Sequence, residues 1–437
     1  MKRKIYDELL KWKNEDIKTP LMILGARQIG KTYIVKEFCE KEFKQYEYIN
    51  LLDNKEVISI FKENINIIDK IKKMEIALGH TIDFENTIIF FDEVQESEEI
   101  ISSIKYFCES PVSYKIICAG SLLGVKINRF HSSFPVGKVK MITMYPMNFE
   151  EFLWALDYEI IIPEIKSCYQ NNKKMNDVMH EKLLNYYRMF LCTGGMPQIV
   201  KNLKKEKNVL NIDKDILKNI ISGYLSDMNK YILNATEGVK NEAIYNSIPT
   251  QLANPSNKFQ YSKINNNARK RDYEISIDWL LSSKMILKSN AINKVETPLK
   301  AFINEDNFKL YLSDVGLLTT LLEIKYEDIM LNKDFMYKGI IAENYVATEL
   351  IRSNTLYYWQ SENKAEIDFL IYNKNGIIPI EVKANINNNS KSLNYYMDKY
   401  KPPYAIRVSS RNFGYENNIK SIPLYATFCI NYFENWG

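Results

Sequence analysis

The sequence predicts a multidomain α/β protein whose first third forms a doubly wound parallel sheet. Three observations carry this. From residue 1 to about 150, short apolar runs alternate with amphipathic stretches, as strands alternate with helices in such sheets. The octapeptide Gly25-Ala26-Arg27-Gln28-Ile29-Gly30-Lys31-Thr32 fits the pattern G-x-x-x-x-G-K-[ST] between the apolar run Leu21–Leu24 and the helical stretch Tyr33–Phe38. The run Thr87–Phe91 is continuously apolar, as a parallel strand buried on both faces must be, and it ends in Asp92-Glu93.

The strands expected in this region are Leu21–Leu24, Tyr46–Leu51, Ile88–Phe91, Lys115–Ala119 and Val139–Met144. A tight loop between a strand and a helix N-terminus aims successive backbone N–H groups and the helix dipole at a phosphate. Gly25 to Thr32 are therefore candidate nucleotide-binding residues, with Lys31 as a point charge on the phosphates and the Thr32 hydroxyl as a Mg²⁺ ligand. At the end of the later strand, Asp92 is a second candidate for holding Mg²⁺, through a bound water. Glu93 is the candidate catalytic base that polarises a water for attack on the γ-phosphate of ATP. Ser121, following Ala119-Gly120 at another strand end, is a candidate sensor of phosphate state; a plain small-residue turn is the competing reading.

From Asn148 to about Tyr231 the pattern is helical, opening with a polar cap and early acids in Asn148-Phe149-Glu150-Glu151. Thr193-Gly194-Gly195-Met196-Pro197 separates two of these helices. Gly-Gly followed by Pro at a helix start is ordinary punctuation, yet it also lets backbone and proline ring approach a flat adenine, so Pro197 is a candidate nucleotide contact. Residues 236–330 read as small helices and then a hairpin, the winged-helix plan. The helix Asp272–Ser283 carries Ile275, Trp279 and Leu280 at helical spacing, and Met285–Lys288 and Phe308–Leu312 form the strand pair. Arg269-Lys270-Arg271 is positioned to meet DNA phosphates or to be a solvated face.

The segment 335–437 holds a third candidate site. On the predicted helix Lys338–Arg352, Ala342, Val346, Ala347 and Ile351 make an inward stripe with Glu343 on or beside it, and a buried carboxylate needs a partner or a metal. Two strands joined at Asn373-Lys374-Asn375-Gly376 follow. Asp368 shares a face with Glu366, and Glu381 shares one with Lys383. Glu343, Asp368 and Glu381 are thus candidate Mg²⁺ ligands of a phosphodiester-cleaving site, with Lys383 the candidate catalytic residue that orients the attacking water. Cross-strand surface salt bridges are the alternative.

Composition narrows the classes. The 437 residues suffice for several cores, and 58 basic against 54 acidic residues leave a net charge of only +4, so global charge supplies no argument for a nucleic-acid partner. Six cysteines without a C-x-x-C pair, and three separated histidines (His80, His131, His180), support neither a structural zinc site nor a histidine-based triad. No apolar run approaches a membrane span, so no membrane partner and a cytoplasmic location are expected.

Taken in order, these motifs resemble the prokaryotic AAA-type ATPases that carry a C-terminal PD-(D/E)XK nuclease-like domain of unknown function. The resemblance rests on Gly25–Thr32, Phe91-Asp92-Glu93, Ala119–Gly124, Phe134–Lys138, Tyr145–Phe152, Gly194–Pro197, Tyr358-Trp359, Ala365–Asp368 and Pro379–Lys383. It implies an ATPase core over 1–150, a helical lid over 151–235, a winged helix over 236–330 and a restriction-endonuclease-like domain over 335–437. It also implies that Gly195-Met196-Pro197 is an adenine-contacting turn. Expected partners are ATP, DNA and further copies of the chain. Two functions follow: an ATP-driven DNA-processing enzyme, or a nucleotide-controlled switch or scaffold that binds DNA or protein without cutting.

Overall fold

The computed structural model describes residues 1–15, 19–129, 137–232, 234–254, 257–361, 365–385 and 391–434. His131 and the Phe134–Val136 part of one motif lie outside the described residues. The chain forms two compact units: Lys2–Tyr145 with Ser282–Lys284, and Pro146–Leu281 with Met285–Gly437 and Met1.

The first unit is built on five parallel strands, β1 (Leu21–Leu24), β2 (Gln45–Asn50), β3 (Thr87–Asp92), β4 (Lys115–Ala119) and β5 (Lys140–Thr143), in the order β2-β3-β4-β1-β5. All five expected strands are present, with ends shifted by one residue in places. β3 is buried along its whole length because it pairs on both sides, with β2 and β4. β2 lies at the edge, and its polar Gln45-Tyr46-Glu47 start is accordingly half-exposed. β1 lies between β4 and β5, so its carboxyl end neighbours both Ala119 and Thr143. One face is filled by Phe61, Phe91 and Phe107, whose rings meet edge-on or tilted.

The second unit opens with the predicted helix Phe149–Ala155. Its start is a capping box: Asn148 Oδ1 accepts the Glu151 N–H and Glu151 Oε2 accepts the Asn148 N–H, both at 2.9 Å. Gly194 and Gly195 do separate the helices Asp177–Thr193 and Pro197–Glu206. The helix Lys270–Ser282 buries Tyr273, Ile277, Trp279 and Leu280. Ile275, expected on that inward face, is 56% exposed; the inward stripe runs through 273, 277 and 280 instead, one helical face away from it.

The remaining strands form one eight-stranded sheet: β6 (Ile286–Ile292), β7 (Ile303–Leu312), β8 (Tyr357–Gln360), β9 (Glu366–Asn373), β10 (Gly376–Val382), β11 (Ala405–Ser409), β12 (Gly414–Glu416) and β13 (Ile419–Pro423), in the order β12-β13-β11-β10-β9-β8-β6-β7. The β6–β7 hairpin predicted as a wing does form, but it does not stand apart. β6 pairs in parallel with β8, Asn290 against Tyr357. Ile292 and Leu299 share a core with Trp359, Ile367 and Tyr396. Pairing satisfies an edge that a free wing leaves open. The β9–β10 hairpin turns at Asn373–Gly376 as expected. Among the described residues, no helix is long and apolar enough to cross a membrane.

Candidate functional site

In the first unit, the loop between β1 and the helix Lys31–Glu42 is shaped by backbone that few side chains tolerate. Gln28 has φ 64°, and Gly30, which precedes the helix, has φ 92°. A left-handed residue there turns the chain so that the first helical N–H groups face the loop. The Lys31 ammonium lies over the loop, donating to the carbonyl oxygens of Gly25 at 2.9 Å and Ala26 at 2.7 Å. Ala26 and Ile29 are buried, Arg27 is half-buried, and Gln28 is exposed. Arg3, which sequence reasoning missed, holds this loop from the N-terminal side. Its buried guanidinium donates to Ile29 O at 2.8 Å and Tyr145 O at 2.6 Å, joining the loop to the segment after β5. A lone arginine before an amphipathic helix leaves no periodic signal.

Asp92, at the end of β3, meets this loop. Its Oδ2 accepts the Thr32 hydroxyl at 2.7 Å and the Tyr48 hydroxyl at 3.1 Å, while Oδ1 accepts the Glu93 N–H at 3.1 Å. These donors are all neutral, so no hydrogen-bonded cation offsets the buried carboxylate. Burial raises its pKa, against the Thr32 hydrogen bond. A hydroxyl and a carboxylate in direct contact, with no cation among these hydrogen-bond donors, fit a hard divalent ion such as Mg²⁺. Glu93 adopts φ 53° and accepts Gln95 Nε2 at 2.6 Å. Ser121 is buried, and its Oγ has no hydrogen-bond partner. Lys31, Thr32, Asp92 and Glu93 are thus brought together at the carboxyl edge of the sheet.

Pro197 belongs to the second unit, where its turn is held by other groups. Gly195 donates its N–H to Asp314 Oδ2 at 2.6 Å and accepts the Met147 N–H at 2.7 Å. Asp314 also caps the helix Val315–Leu321 through the Gly316 and Leu317 N–H groups, and burial raises its pKa to about 6.

The C-terminal acids are arranged differently from the expectation. Glu343 is buried on the helix Lys338–Leu350, but its partner is Lys309 of β7. The Lys309 ammonium, fully buried, lies 2.8 Å from Glu343 Oε1 and 2.6 Å from Glu366 Oε1. Tyr311 adds a 2.6 Å hydrogen bond to Glu343 Oε1, and Asn257 a 3.1 Å one to Oε2. Burial alone would depress the Lys309 pKa; Glu343, Glu366 and Asp368 more than reverse that. Both Glu343 oxygens therefore carry donors, and the cation beside them is a protein ammonium shared with Glu366. Glu343 is placed differently from the metal role expected of it, because its oxygens are committed to Lys309, Tyr311 and Asn257. Among the described residues, no group of three or more His, Cys, Asp or Glu side chains is arranged to hold a metal ion.

Asp368 Oδ2 accepts the Val382 N–H at 2.7 Å, and its pKa rises to about 8 through burial and then the Glu343 charge. Glu381 is paired with Lys383 at 3.1 Å and faces Arg407 at 4.0 Å. The missed signal was Lys309 itself, a lone cation two residues from Tyr311 in the buried run Phe308–Leu312.

Residues 18–153 match the family model described as AAA domain, which assigns that region the AAA-type P-loop ATPase fold. Residues 184–328 and 338–427 match two models described as domains of unknown function, DUF8612 and DUF4143. The chain is 23% identical over 413 residues to an uncharacterized protein of Methanocaldococcus jannaschii, covering 88% of this chain and 80% of that one. Among solved structures, a Walker-type ATPase of Pyrococcus abyssi is similar at 14% identity and TM-score 0.43, over 74% of this chain and 96% of that one. The ORC2 protein of Aeropyrum pernix is similar at 12% identity and TM-score 0.35, over 76% and 94%.

Proposed function

We propose that the chain binds ATP with Mg²⁺ and hydrolyses it, and that nucleotide state governs its second unit. The observation that carries this reading is the 2.7 Å contact between Thr32 and the Asp92 carboxylate, whose hydrogen-bond donors are all neutral, beside the Lys31 loop. Lys31 and the loop N–H groups bind the phosphates, and Thr32 and Asp92 hold Mg²⁺, which offsets phosphate charge. Glu93 polarises water. Ser121 senses phosphate state, and Pro197 contacts adenine. Lys31→Ala should abolish ATP binding, whereas Glu93→Gln should bind ATP normally and fail to turn it over. Equal turnover in Glu93→Gln and the unaltered protein removes Glu93 from this role.

For the second unit, the proposed partner is DNA, met through the run Arg269-Lys270-Arg271, where Arg269 and Arg271 are exposed. The pairing of Lys309 with Glu343 and Glu366 favours the switch or scaffold reading, in which this unit binds without cutting. Calorimetric titration with Mg²⁺ and Mn²⁺ beside a plasmid-nicking assay separates the two. Metal uptake abolished by Asp368→Ala, together with nicking abolished by Lys383→Ala, would restore cleavage by Asp368, Glu381 and Lys383.

A further inference from the structure

Gln95 lies two residues beyond Glu93, is 4% exposed, and points its side-chain amide back along the turn. A carboxylate only accepts hydrogen bonds, so the contact with Glu93 Oε2 at 2.6 Å fixes which end of the amide is which: the NH₂ faces Glu93. The carbonyl end, Oε1, is then directed at Gly120 in the loop after β4. It is buried there with no hydrogen-bond partner. A Cβ built on Gly120 would fall 2.1 Å from that oxygen, so glycine is required for the amide to lie where it does. The neighbouring Ser121 Oγ is likewise buried and has no hydrogen-bond partner. One side chain therefore links the acid at the end of β3 to the loop at the end of β4.

We propose that Gln95 is a positioning residue for Glu93, an inference that rests on Glu93 being the general base. The amide ties one carboxylate oxygen and leaves the other to take the proton of the attacking water. Glu93 sits in left-handed backbone at φ 53°, a conformation that side-chain-bearing residues adopt sparingly. General-base catalysis supplies about 10²–10⁴-fold in rate and depends on placement within hydrogen-bond reach. Loss of the tie should cost turnover and spare ATP affinity, since Gln95 is outside the phosphate loop.

The test uses the full-length chain and steady-state ATP hydrolysis, with ATP affinity and melting temperature measured on each variant. Gln95→Ala should lower kcat about tenfold or more with unchanged affinity. Gly120→Ala keeps the amide and displaces it, and should show the same split. The split between kcat and ATP affinity, at unchanged melting temperature, is a readout that a merely structural role does not give. Unaltered kcat in Gln95→Ala overturns the proposal. Should Glu93→Gln itself hydrolyse ATP normally, the general-base reading fails first. An inactive Glu93→Gln beside a fully active Gln95→Ala removes Gln95 alone.

Discussion

Asp92 and Glu343 are both buried carboxylates, 4% and 5% exposed, and each accepts three hydrogen bonds. They differ in one donor. Asp92 is solvated by two hydroxyls and a backbone N–H, so its charge is stabilised but not cancelled. Glu343 receives an ammonium, a phenol and an amide, and its charge is opposed within the protein by a cation it shares with Glu366. The first arrangement keeps an attraction available to a cation from outside. The second consumes it in the fold. Burial of an acid is therefore a poor guide to metal binding until its partners are known.

The largest effect should come from breaking the internal pair. Lys309→Met leaves Glu343 and Glu366 without their cation and should destabilise the second unit by about 3–5 kcal/mol, read by denaturant unfolding. Adding Glu343→Gln to that variant should recover part of the loss.

A pH effect comes next. Asp368 has its pKa raised to about 8 from the ordinary aspartate value of 3.8, so between those values the folded state keeps a proton that the unfolded state has released. Stability then falls as pH rises through that window, and levels off above it. Asp314, raised to about 6, adds a slope of the same sign over the lower half only. The slope between pH 6 and 8 should accordingly flatten in Asp368→Asn, which should also be the more stable protein at pH 8. Unchanged slope would mean that Asp368 is ionised in the fold, as a metal ligand would be.

Asp92→Asn should have a smaller effect on stability, within about 1 kcal/mol, because it removes a desolvated charge along with its hydrogen bonds. Its effect should appear in function: the gain in ATP affinity on adding Mg²⁺ should shrink. A stability loss comparable to that of Lys309→Met would erase the contrast between the two acids. Smallest of all should be joint replacement of Arg269, Lys270 and Arg271 by Ala, within about 0.5 kcal/mol. Lys270 meets Asp306 only at 3.6 Å. If these residues meet DNA, the slope of log affinity against log salt should flatten by about one unit for each phosphate no longer neutralised.

Much of this molecule was legible from local pattern. The Gly25–Thr32 loop, the acid-terminated run ending at Asp92-Glu93, the cap at Asn148 and the turn at Asn373–Gly376 each follow from a few adjacent residues whose geometry is short-range. The inner strands β1, β3 and β4 were readable because burial on both faces demands nearly continuous apolar runs. What the tertiary structure alone decided lies at long sequence separation. Lys309 meets Glu343 across 34 residues and Glu366 across 57, Asp314 reaches Gly195 across 119, and Arg3 reaches Tyr145 across 142. The β6–β7 hairpin had the pattern of a wing, and only pairing with β8 made it part of a larger sheet. Periodicity reports which face of an element is buried. It carries no information about which charge from another element arrives there, and that arrival determines whether a buried acid is neutralised by the fold or left to attract a cation.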